Sequence, residues 1–361
     1  MNDKVTLMKG NEALAMAMIR YGADGYFGYP ITPQSEVLEK LEEEMPWETT
    51  GMVVLQAESE VAAINMVYGG AMTGKAVCTS TSSPGFSLMQ EGVSYLAASE
   101  VPALLINVQR GGPGLGTIHA SQADYFQACK GGGHGDYHMI VLAPSSVQEM
   151  ADMVALGFDL AFKYRCVSMI LADGTIGQLM EKVVLPEQRP RRTDDEIRQQ
   201  CPWAVNGRKG MRPSNVVTSL ELDDDKMEEN NWRFQACYRE IEKNETRCEL
   251  IDVEDCDYLI TAFGTTARVA MKTMELARAE GIKVGMFRPI TLWPFPEKQL
   301  RDAAKNVKGI LCVELNAGQM VEDVKLAVEC KMPVEHYGRF GGNVPTPDEL
   351  LNVLKEKLIN K

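Results

Sequence analysis

The stretch Gly28-Tyr29-Pro30-Ile31-Thr32-Pro33-Gln34-Ser35-Glu36 organises the chain, because a short apolar strand, Tyr26 to Tyr29, stops there and a helix begins. Pro30 pushes Tyr29 into an extended conformation, and Pro33 suits the first helical position, where an N–H would have no partner. Thr32 then reads as the N-cap, its oxygen accepting from a first-turn N–H while its proton stays free to donate. A hydroxyl donor at the positive end of a helix is a place where a carboxylate can dock. Thr-Pro also opens many helices that bind nothing, so the remainder of the chain must carry the functional reading.

Outward from this turn, strands and helices alternate. A helix is expected over 12–21, opened by Asn11 and stopped by Gly22. Met52 to Leu55 reads as a strand and Glu58 to Met72 as an Ala-rich helix. Ala76 to Thr79 is a strand, and Ser83-Pro84-Gly85 turns into a helix. Ala103 to Val108, a helix from Ser121 to Ala128, Ile140 to Leu142, a helix opened by Ser146 and Glu149, and Cys166 to Leu171 complete the series. Short apolar strands between longer helices mean a parallel sheet covered on both faces. The expectation is a doubly wound α/β domain over residues 1–185. Residues 186–250 are rich in Arg, Asp and Glu, with an acidic run from Glu221 to Glu229, and read as an extended connector. Trp203 and Trp232 argue against a disordered loop, since such rings need burial against this chain or another subunit. Residues 251–361 repeat the strand–helix alternation as a second, smaller α/β domain.

With 45% hydrophobic and 24% charged residues, the 361-residue chain has the composition of a globular protein. A net charge of −13 without a Lys/Arg cluster beyond Arg189, Arg191 and Arg192 disfavours nucleic acid. The start has no leader pattern and no apolar run approaches a membrane span, so the cytoplasm is expected. Nine cysteines without any C-x-x-C fit neither a disulfide framework nor an iron–sulfur cluster.

Glu60 falls early in a helix just after a strand ends, where ligands bind in open parallel sheets. Its neighbours Val61 to Ile64 are apolar, and a carboxylate held against such side chains can share a proton with a heteroaromatic nitrogen. A first-turn Glu that only complements the helix dipole is the plainer alternative. Arg110 ends a strand and precedes Gly111-Gly112-Pro113-Gly114-Leu115-Gly116, and an Arg fork beside flexible backbone N–H groups suits a small carboxylate. His119, His134 and His138 cluster in sequence without metal-ligand spacing and read as a polar loop near the active mouth. Neither a G-x-S-x-G elbow nor a P-loop is present.

The segments Tyr29-Pro-Ile-Thr-Pro33, Glu58-Ser-Glu60-Val-Ala-Ala63, Thr81 to Met89, Gln109-Arg110-Gly-Gly-Pro-Gly-Leu-Gly116 and Phe287 to Pro296 occur in an order that resembles the alpha subunit of 2-oxoacid:ferredoxin oxidoreductases. The run Gly114 to Phe126 and the loop Gly131 to Tyr137 look most like the branched-chain (3-methyl-2-oxobutanoate) branch, whose frame 2-oxoglutarate enzymes share. The resemblance implies a pyrimidine-binding thiamine diphosphate domain followed by a transketolase C-terminal-like domain. It implies that Glu60 holds the aminopyrimidine ring nitrogen, that Thr32 and Arg110 hold the substrate's carboxylate and keto group, and that Tyr29, Pro30, Ile31, Ser83, Pro84 and Gly85 lie against the cofactor. The G-D-G…N motif for diphosphate and magnesium is missing, since Ala172-Asp173-Gly174 lacks the first glycine, and so are cluster cysteines. Partner subunits are therefore expected to supply Mg2+, the diphosphate site and the iron–sulfur clusters: a diphosphate-binding beta subunit and ferredoxin-like delta and gamma subunits. CoA, the 2-oxoacid and ferredoxin would be the reactants, and in isolation the chain could pair as a homodimer. Rival readings are the same chemistry on 2-oxoglutarate or pyruvate, a ferredoxin-independent thiamine decarboxylase or synthase subunit, and a non-catalytic scaffold.

Overall fold

The computed structural model describes residues 5–208, 210 and 212–360. A seven-stranded sheet carries, in spatial order, Thr291–Trp293, Ile140–Leu142, Val167–Asp173, Ala103–Gln109, Val77–Thr81, Gly25–Gly28 and Val53–Gln56. All its pairings are parallel except that of the edge strand Thr291–Trp293. The two central strands Ala103–Gln109 and Val167–Asp173 are buried along their whole length, as their largely apolar runs require when helices cover both faces. From Gly25–Gly28 the chain steps outward to Val53–Gln56, then returns to the other side at Val77–Thr81. That reversal opens a crevice at the carboxyl ends of these strands.

A second sheet of five strands, Val334–Gly338, Gly309–Glu314, Tyr258–Thr261, Val284–Pro289 and Cys248–Ile251, is parallel except for the last, with helix Gly264–Ala279 packed on it. The edge strand Thr291–Trp293 leaves this part of the chain to pair with Ile140–Leu142, so the two regions share main-chain hydrogen bonds. Among the described residues no helix is long and apolar enough to cross a membrane.

Several local expectations are corrected. The helix after the organising turn spans Ser35–Glu44 with Gln34 as N-cap, so Thr32 caps nothing. The Thr32–Pro33 peptide is cis, and the Gln34 N–H donates to Ile31 O at 3.0 Å, closing a turn before the helix starts. The first helix spans Gly10–Tyr21 and is capped by Lys9 with Glu12, ending at Gly22 in the left-handed region (φ 82°). This frees Asn11, whose Nδ2 donates to Pro33 O at 2.7 Å and to Glu36 Oε2 at 3.0 Å and so pins the turn.

The acidic run does not stay extended. Asp223 caps a 21-residue helix, Asp224–Asn244, because carboxylates in a first turn complement the helix's positive end. A shorter helix, Asp194–Gln200, opens with a Thr193–Glu196 capping box. Trp203 packs under the Arg165 guanidinium, 4.7 Å from the ring, whereas Trp232 stays 62% exposed.

Candidate functional site

Four segments converge at the carboxyl ends of the strands. Ser59 caps helix Glu60–Met72 by accepting from Ala62 N at 3.2 Å, which places Glu60 at the first helical position. Glu60 is only 6% exposed, and its carboxylate has no hydrogen-bond partner among the described residues. Beside it runs the start of helix Ser83–Ala98. A Cβ on Gly85 would lie 2.6 Å from Glu60 Oε1 and 2.2 Å from Thr81 Oγ1, so only glycine lets the carboxylate sit there. A buried acid without a partner next to a position that excludes side chains fits a polar heteroaromatic nitrogen brought in by a ligand.

Ser83 links that corner to Arg110. Its Oγ accepts from Arg110 N at 3.0 Å and donates to Arg110 O at 3.3 Å. The guanidinium reaches across to the organising turn: Nη1 donates to Thr32 O at 2.9 Å and Thr32 Oγ1 at 3.3 Å, and Nη2 donates to Leu115 O at 3.0 Å. Its buried Nε has no partner among the described residues. Thr32, Ser83, Gly85, Glu60 and Arg110 are thus brought together as one linked set. Thr32 contacts the arginine and does not cap the helix. Tyr29 and Ile31 are half-buried and Pro30 is exposed at the rim of the same turn. The turn is seated by Gln34, whose Oε1 accepts from Ser80 Oγ at 2.6 Å, and by Gln178, whose Nε2 donates to Pro33 O at 3.0 Å.

A cavity of about 610 Å³ opens here, lined by Ser83, Pro84 and Arg110 from the first domain and by Leu315, Asn316 and Phe340 from the second. Asp124 also lines it, accepting from Asn107 Nδ2 at 2.9 Å. Burial pushes the Asp124 carboxyl up from its ordinary range, against the lowering effect of hydrogen bonds from Ser83 and Asn107. Neither Asp124 nor the second-domain residues carried a sequence signal, since only the packing of distant segments brings them to the mouth.

The two domains are bolted beside this cavity. Gln122 donates through Nε2 to Phe263 O at 2.7 Å, and its Oε1 accepts from Leu315 N at 3.0 Å. Asp173 accepts from Thr175 N, Ile176 N, Thr265 N and Thr265 Oγ1, between 2.5 and 3.2 Å, so both its oxygens serve the fold. The histidines separate. His119 packs against the Gly342 backbone and lines a neighbouring cavity of about 850 Å³ with Thr32, while His134 is exposed. His138 stacks on Trp293 with ring centroids 4.5 Å apart and faces a different groove, not the mouth. Among the described residues no group of three His, Cys, Asp or Glu side chains is placed to hold a metal ion.

Comparison with known proteins matches both domains. The family model described as "Pyruvate flavodoxin/ferredoxin oxidoreductase, thiamine diP-bdg" covers residues 16–244, and "Pyruvate:ferredoxin oxidoreductase core domain II" covers 256–350. The chain is 47% identical to the ketoisovalerate oxidoreductase subunit VorB of Methanothermobacter marburgensis, over 97% of each chain. It is 34% identical to the 2-oxoglutarate synthase subunit KorA of the same organism, over 96% of this chain and 97% of that one. Among solved structures it is similar to 2-oxoglutarate:ferredoxin oxidoreductase from Magnetococcus marinus, with a TM-score of 0.84 and 28% identity, covering 98% of this chain and 65% of that one. Matched in both domains and end to end by a relative at this identity, the chain belongs to the 2-oxoacid:ferredoxin oxidoreductase family, as an alpha-type subunit with a thiamine-diphosphate-binding domain.

Proposed function

We propose that this chain supplies the pyrimidine side of the thiamine diphosphate site in a heteromeric enzyme. That enzyme converts 3-methyl-2-oxobutanoate, CoA and oxidised ferredoxin into acyl-CoA, CO2 and reduced ferredoxin. The observation that carries the reading is the buried, unpartnered Glu60 carboxylate held against Gly85. Bound thiamine diphosphate supplies the electron sink for the decarboxylation.

Glu60 holds and returns a proton at the aminopyrimidine ring nitrogen, with Tyr29, Pro30, Ile31, Ser83, Pro84 and Gly85 forming the surrounding walls. Arg110 anchors the substrate carboxylate through its remaining N–H groups, since a guanidinium presents five donors and only part of them are used internally. The Thr32 hydroxyl, held at 3.3 Å from Arg110 Nη1, keeps a proton available for the keto oxygen. Because Asp173 spends its oxygens on the fold, Mg2+ and the diphosphate fall to a beta subunit. The iron–sulfur clusters and ferredoxin docking fall to ferredoxin-like delta and gamma subunits. The branched-chain substrate is favoured over 2-oxoglutarate by the higher identity to the ketoisovalerate relative, 47% against 34%.

The test is copurification of the tagged chain from its native host under anaerobic conditions, assaying CoA-dependent reduction of a viologen dye with each 2-oxoacid. Highest turnover with 3-methyl-2-oxobutanoate supports the reading. Highest turnover with 2-oxoglutarate or pyruvate overturns the substrate, and a colourless, inactive lone chain overturns the activity.

A further inference from the structure

We infer that Phe340, in the second domain, is a specificity-determining wall for the side chain of the 2-oxoacid. The inference rests on the reading of Arg110 as the carboxylate anchor. Phe340 is 59% exposed, yet it lines the same cavity as Arg110, Pro113 and Leu315. A large aromatic ring left open at the mouth of a pocket offers apolar area that a ligand can cover.

Its position is fixed. Arg339 N donates to Glu314 O at 3.3 Å on one side of Phe340, and Asn343 N donates to Phe340 O at 3.2 Å on the other. Gly341 and Gly342 follow with φ of +63° and +89°, a conformation that favours glycine. A Cβ at Gly342 would lie 2.4 Å from His119 Cβ, so this loop is pressed onto the Gly111–His119 segment. That segment carries Leu115, whose carbonyl grips Arg110. The Leu315 wall is held equally firmly through Gln122.

A 2-oxoacid anchored by its carboxylate at Arg110 turns its side chain toward the remaining walls. A branched alkyl group gains by covering Phe340 and its apolar neighbours. Arg110 is the one cation among the described residues lining this cavity, and Asp124 adds an acid there. A second carboxylate on the substrate would therefore lose hydration without finding a second cation.

The experiment uses the reconstituted complex with Phe340→Ala and with Phe340→Lys, measuring kcat/KM for 3-methyl-2-oxobutanoate, pyruvate and 2-oxoglutarate. Phe340→Ala should lower the branched-to-pyruvate ratio about tenfold, the usual scale for loss of an apolar pocket contact. Phe340→Lys should raise the 2-oxoglutarate-to-branched ratio by about tenfold or more. The exposure of the ring leaves room for both replacements. Ratios unmoved in both variants overturn the inference. The wild-type preference tests the substrate reading separately: if wild type favours 2-oxoglutarate, that reading falls, while ratios that still move on substitution keep Phe340 as a selecting residue.

Discussion

Arg110 shows how one side chain couples several segments. Its main chain is tied to Ser83, its Nη1 to the organising turn and its Nη2 to the glycine loop. Lysine would keep the charge but lose the planar fork, and could not hold Thr32 O and Leu115 O while meeting a carboxylate. We expect Arg110→Lys to lower kcat/KM for the 2-oxoacid by roughly 10–150-fold, the equivalent of one charge-assisted hydrogen bond. The loss should fall mainly in KM, read by steady-state kinetics of the reconstituted complex; equal kinetics with Lys would remove the carboxylate role. The positions of Arg110, Ser83 and Gly85 at the ends of strands were legible, since each stands where an apolar strand runs out into turn chemistry, while the site roles of Ser83 and Gly85 came only from the family resemblance. Asp124, Gln122 and Phe340 were not, since their meaning depends on contacts such as Gln122 to Leu315, 193 residues apart.

At the scale of elements, the alternation of short apolar strands and longer helices was enough to read the parallel sheet. Two features escaped it. The strand Thr291–Trp293 is short and returns to the first sheet, which no local pattern announces. The helix Asp224–Asn244 opens on a strongly polar stretch, and its apolar stripe, Phe234, Cys237, Tyr238 and Ile241, is confined to its last third, too short to stand out against the acidic run before it. Its far end is held by these apolar contacts and, beyond the last turn, by ion pairs. Glu245 accepts from Lys163 Nζ and Tyr164 OH at 2.6 Å and from Arg247 Nη2 at 2.7 Å. Burial pushes its carboxyl up, but these three partners outweigh that and bring it down to about 2 from an ordinary 4.5. A lowered folded-state value means the stabilisation is present above the unfolded value and lost as pH falls through the folded one. Glu245→Gln should therefore lower the urea midpoint at pH 7, with the gap to wild type closing between pH 4.5 and about 2. A gap unchanged down to pH 3 would contradict the clamp. Likewise Arg288, prominent in the Phe287-Arg288-Pro289 motif, proves to be a tie: it bonds Glu149 and Glu249 at 2.7 Å and keeps the edge of the second sheet against the first domain.

For the molecule as a whole, the site is half of something. The crevice carries a buried acid, an arginine and apolar walls, and Asp173 is consumed by the joint between domains. Such an arrangement makes sense where a second subunit closes the other side. The motifs made the family legible through their order along the chain, four of them falling at the ends of Gly25–Gly28, Val53–Gln56, Val77–Thr81 and Ala103–Gln109. The organising turn follows a strand that ends at the switch point, and Thr32 contacts Arg110 there rather than capping a helix. The claim at the centre is that Glu60 is this chain's chemical contribution. The measurement that tests it most directly is turnover of the reconstituted complex carrying Glu60→Gln, with subunit assembly and thiamine diphosphate content measured alongside. The account predicts an assembled complex whose 2-oxoacid-dependent dye reduction falls by about 10²–10⁴-fold, the range for a lost proton relay. Turnover equal to wild type in that assembled complex would contradict it.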